Sequence, residues 1–135
     1  MREVVHQPGH IEPYAFRLET EEGVLVYSGD TGPCENIIEL AKGADMLIHM
    51  CYFVTGTFIP AGKTVTSSGD KEAAYVAAEA GVNTLVATHF TPQMDAPGVK
   101  EQCLFEMAEM FKGRIVWGED MMCLPLKPEE VPHAG

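Results

Sequence analysis

Basic residues are scarce. Against 20 aspartates and glutamates stand only 9 lysines and arginines in 135 residues, a formal net charge of −11. Proteins that hold a phosphate backbone gather lysine and arginine on one face, so this charge speaks against a nucleic-acid partner. Paired cysteines are missing too. Cys34, Cys51, Cys103 and Cys123 are scattered without C-x-x-C spacing, which suggests neither a zinc knuckle nor a redox pair and favours reduced, half-buried thiols of a cytosolic protein. No apolar run is long enough to cross a bilayer, and MREVVHQPGH lacks the apolar core of a signal peptide. The expectation is a cytoplasmic protein with no membrane partner. What is present is enough apolar residue, 46% of the chain, to bury one core. Residues 1–126 read as a single αβ domain, and KPEEVPHAG, 127–135, as a tail.

The first third has the period of β structure. PYAFRLE alternates Tyr14, Phe16 and Leu18 with smaller or charged residues, and the EEG turn leads into VLVYS, which predicts a hairpin. After Asp30 the period lengthens. ENIIELAKG spaces Ile37, Leu40 and Ala41 along one helical face with Gly43 as a left-handed stop, and DMLIHMC follows as a strand. The unit repeats in GDKEAAYVAAEAG, ending near Gly81, and NTLVATHF. A third helix is expected from Pro97 to Lys112, then strands RIVWG and MMCLPL. The fold class is α/β, with right-handed crossovers setting helices on at least one sheet face. Val24, Val26, Ile48, Val86 and Val116 make the strands apolar on both sides, so the second face needs a cover: a homodimer or a separate half.

Three polar residues fall at or beyond the ends of successive strands: Asp30, His49 and His89. In α/β sheets the crevice beyond the carboxyl ends of strands is where ligands bind. Each also has a structural reading. Asp30 can cap the following helix, His49 can be a core histidine bonded to a carbonyl, and His89 precedes a turn. Together a carboxylate and an imidazole suit a divalent transition metal, with zinc favoured by mixed nitrogen and oxygen donors. AGKT, 61–64, is set aside as a phosphate loop because Gly56 stands one residue too far upstream for the P-loop spacing. The methionines at 107, 110, 121 and 122 read as core.

VYSGDTGPCENIIELAKGADMLIHMCYF, followed by ATHFTPQ, resembles the carboxyl-terminal half of metallo-β-lactamase-fold hydrolases, in the branch related to ribonuclease Z and arylsulfatase-like enzymes. The resemblance runs from about Val5 to Leu124. It implies half of an αββα sandwich, a mixed sheet with helices on one face. It also implies a dinuclear site, usually zinc, with Asp30 bridging the ions and His89 binding one. His49 aligns with the histidine of the family's H-E-A-T segment, which implies a catalytic role, either behind the metal ligands or in proton transfer, although the glutamate after it is Met50 here. Gln93 and Met94 replace an arginine and a tyrosine common in the ribonuclease branch. With the acidic charge, that shifts the expected substrate towards a small-molecule ester, a phosphoester or sulfate ester. The family's H-x-H-x-D-H motif does not occur in these residues, so the resemblance implies a truncated hydrolase with one or two ions, possible extra ligands in His10 and His6, and a site completed by a second chain. The competing expectation is a non-catalytic module with a lone metal ion or none.

Overall fold

The computed structural model describes residues 1–5, 12–57 and 66–129. Among the described residues six strands form one sheet in sequence order: β1 (Arg2–Glu3), β2 (Tyr14–Thr20), β3 (Gly23–Tyr27), β4 (Met46–Met50), β5 (Thr84–Thr88) and β6 (Arg114–Trp117). β1 to β3 are antiparallel neighbours, and β3 to β6 run parallel. The sheet is therefore mixed, as the resemblance implied. The β2–β3 hairpin is closed by Thr20, whose hydroxyl accepts the N–H groups of Glu22 and Gly23, both at 3.2 Å.

The described helices, α1 (Glu35–Ala41), α2 (Asp70–Ala80) and α3 (Val99–Met110), occupy the crossovers. Two of them end where the glycines require. Gly43 and Gly81 both take φ of +66°, a conformation in which a side chain costs stability. The alanine-rich face of α2 buries Ala73, Ala74, Val76, Ala77 and Ala80, so this helix packs closely on the sheet and on its neighbours. Arg17 reaches from β2 to the end of α1, donating from Nη1 to the carbonyls of Leu40 at 2.8 Å and Lys42 at 3.1 Å. Cationic donors at a helix C-terminus satisfy carbonyls that have no partner within the helix.

The strands are two-faced. Val26, Leu47, His49, Leu85 and Ala87 are wholly buried beneath the helices. The opposite face carries Phe16, Leu18 and Tyr27, all exposed, and Met46 and Val86, both buried. Burial there comes from the chain itself. The segment after β6 crosses this face, and a groove of about 1030 Å³ lies between it and the sheet, with Leu18, Leu25, Met46, Ile48 and Val86 on one side and Leu124 and Leu126 on the other. A Cβ at Gly23 would stand 3.1 Å from the Leu126 side chain.

Two expected boundaries move. α3 begins at Val99, because Gly98 at φ +86° breaks the helical path from Pro97, and it ends at Met110, because Phe111 is extended. MMCLPL is not a strand. Met121 turns the chain at φ +62° and Pro125 has no N–H to pair, so the segment lies on the sheet through its apolar side chains. Among the described residues no helix is long and apolar enough to cross a membrane.

Candidate functional site

The carboxyl ends of β3, β4 and β5 are drawn together by hydrogen bonds that continue beyond the strands. Ser28 donates its N–H to the carbonyl of Ile48 at 2.9 Å, and its hydroxyl accepts the N–H of Met50 at 3.1 Å. The N–H of Cys51 reaches the carbonyl of Thr88 at 2.7 Å. The next residue of each flanking strand then leaves the sheet. Gly29 makes the turn after β3 at φ +59°, where a Cβ would lie 2.6 Å from the carbonyl oxygen of Tyr14. This is the reason for a glycine in SGDT.

Asp30 and His89 meet at this point. Nε2 of His89 lies 3.3 Å from Oδ1 of Asp30, with the two side chains 41% and 43% exposed. His89 itself takes φ of +64°, a left-handed conformation that costs a residue with a side chain about 1–2 kcal/mol. The capping reading of Asp30 is not realised, since Cys34 is the residue before α1 and no side chain caps that helix.

Thr31, next to Asp30, is buried and heavily tied. Its N–H points to Sδ of Met50 at 2.9 Å, its hydroxyl accepts the N–H of Val5 at 3.1 Å, and its carbonyl accepts the hydroxyl of Ser68 at 2.7 Å. The Ser68 carbonyl accepts the N–H of Tyr52 at 2.8 Å. The Tyr52 ring stands edge-on to the His89 ring, with centroids 5.2 Å apart and planes at 77°. Sequence reasoning passed over Ser68 and Tyr52. Nothing local marks Ser68, while an aromatic directly after a buried strand was a signal that could have found Tyr52.

His49 is wholly buried in β4. Its Nδ1–H donates to the carbonyl of Met50 at 2.8 Å, and Nε2 has no partner among the described residues. Burial pushes its pKa down to about 4, against the Met50 carbonyl, which favours the charged ring. It offers no surface to a substrate, and its bond to the Met50 carbonyl is that of a core histidine. His6 and His10 lie outside the described residues, as does AGKT.

The Asp30–His89 pair fits a zinc-like ion in donor chemistry, being one carboxylate and one imidazole on open ends of the two strands that flank β4. In number it falls short of a full set. Among the described residues no group of three His, Cys, Asp or Glu converges on a common point.

No family model matches the chain. Ribonuclease Z of Mycobacterium bovis (strain BCG / Pasteur 1173P2) is 38% identical over 118 residues, covering 84% of this chain and 42% of that protein. The ribonuclease Z of Mycolicibacterium paratuberculosis is 39% identical over 112 residues, covering 78% and 39%. Among solved structures, the metallo-β-lactamase fold protein YhfI from Bacillus subtilis matches with a TM-score of 0.69 at 25% identity, over 85% of this chain and 44% of that one. The short form of human tRNase Z matches in fold with a TM-score of 0.62 at 20% identity, over 89% and 38%. Topology and comparisons agree: the chain has the architecture of one half of a metallo-β-lactamase fold. Within that fold it is a homologue of ribonuclease Z, and it spans less than half the length of the relatives just described.

These relatives correct one expectation. A small-molecule ester substrate and the exclusion of nucleic acid do not stand beside relatives that are ribonucleases by name. The physical reason is that net charge sums over a whole surface, whereas phosphates are met by a patch and by whatever cations a site holds. The same expectation assigned the open sheet face to another chain, yet part of that face is covered by residues 118–126.

Proposed function

We propose that this chain contributes to a metal-dependent site that hydrolyses phosphodiester bonds of RNA, with Asp30 and His89 as ligands to zinc. The observation that carries the reading is the 3.3 Å approach of His89 Nε2 to Asp30 Oδ1 across two separate strand ends. Homology to ribonuclease Z supplies the reaction class. A divalent ion held by the pair supplies Lewis-acid charge for the phosphate oxygens. The residues themselves do the positioning: the turn at Gly29 carries Asp30 off the end of β3, and the αL turn at His89 carries its ring off the end of β5. Partial exposure of both side chains leaves room for donors from outside the described residues, with His10 one candidate. His49, buried and neutral at physiological pH, braces the end of β4 through Met50.

The test is to incubate the zinc-loaded protein with a transfer-RNA transcript and, separately, with p-nitrophenyl sulfate. RNA cleavage that disappears with a chelator and with Asp30→Asn, alongside an unchanged sulfate ester, is the expected result. Bound zinc with no RNA cleavage contradicts the reading and favours a non-catalytic metal-holding module.

A further inference from the structure

The residue that faces His89 from just beyond β4 has no assigned role in a metal site. Tyr52 is 37% exposed, a large aromatic left partly in solvent beside His89. Two main-chain bonds fix its backbone: Cys51 N–H to the Thr88 carbonyl at 2.7 Å and Tyr52 N–H to the Ser68 carbonyl at 2.8 Å. The first ties it to the residue before His89. The second ties it to Ser68, whose hydroxyl holds the carbonyl of Thr31, the residue after Asp30. Tyr52 is thus anchored to both flanks of the Asp30–His89 pair, and its ring presents to the imidazole at 5.2 Å and 77°.

His89 needs such a neighbour. Its side chain is 41% exposed and leaves the sheet at a left-handed residue, so among the described residues no packed layer encloses the ring. An exposed imidazole samples several rotamers, and a ligand that samples rotamers loses metal affinity. We infer that Tyr52 is a positioning residue, whose ring holds the His89 imidazole with Nε2 turned towards Asp30. The metal consequence rests on the reading of His89 as a ligand; the rotamer consequence does not.

Both are measured on the full chain, with Tyr52→Ala to remove the ring and Tyr52→Phe to keep it. Without metal, NMR should find the His89 ring in one rotamer in the wild type and in Tyr52→Phe, and averaged in Tyr52→Ala. A ring equally fixed in Tyr52→Ala overturns the inference. With zinc, calorimetry should show affinity about 10-fold weaker in Tyr52→Ala and within about twofold of wild type in Tyr52→Phe, the range seen when a residue supporting a ligand is removed. Equal affinity in Tyr52→Ala also overturns it. A wild type that binds no zinc strikes instead at the ligand reading, and the rotamer measurement then decides the role of Tyr52.

Discussion

The N–H of Thr31 points to Sδ of Met50 at 2.9 Å, across the gap between the loop after β3 and the end of β4. Thr31 is wholly buried and Met50 nearly so. The contact fixes the residue beside Asp30 from the position where related hydrolases carry a glutamate. A thioether is a weak acceptor, but a buried N–H with a weak partner is better off than one with none.

Replacement Met50→Leu keeps the volume and removes the sulfur. The Thr31 N–H then has no acceptor in that direction, at a cost of about 1–3 kcal/mol. Urea unfolding of the two proteins measures it, and equal midpoints would show that the sulfur contributes nothing.

Gly29 sits where a Cβ would come within 2.6 Å of a backbone oxygen, at φ +59°. Gly29→Ala should therefore destabilise the fold by more than ~1 kcal/mol, since both the conformation and the contact oppose it. A thermal midpoint unchanged from wild type is the opposing outcome. Gly43, also at positive φ, has nothing within 4 Å of a Cβ and serves as the control, with the smaller loss from Gly43→Ala.

Much of this architecture was legible beforehand, and the reasons differ by element. The change from period two to the helical period after Asp30 located α1, and Gly43 and Gly81 marked the ends of α1 and α2, because few other residues accept a left-handed stop. SGDT and THF stood out through the family resemblance, and each closes a parallel strand that flanks β4. The segment 121–126 was misread as a strand because alternating apolar residues serve a chain lying on an apolar face as well as a chain paired in a sheet. Ser68 was invisible, since its role depends on contacts with Tyr52 and Thr31 that only the folded chain creates.

His49 gives a pH signature. Its folded pKa of about 4 lies below the ordinary value of 6.5, so the native protein binds fewer protons than the unfolded chain between these limits. The contribution is fully present above pH 6.5 and is lost as pH falls through about 4, a swing on the order of 3 kcal/mol. Denaturant midpoints measured at pH 7 and pH 5 should fall more in the wild type than in His49→Leu. Parallel pH dependence in the two proteins would mean that His49 is not buried neutral.

The most direct test of the account is the zinc content of the purified protein and of Asp30→Ala and His89→Ala, with thermal midpoints recorded to confirm folding. The account predicts about one zinc per wild-type chain, lost from both variants while each stays folded. A folded wild type without zinc, or zinc retained in both variants, would contradict the claim that Asp30 and His89 form a metal-holding pair.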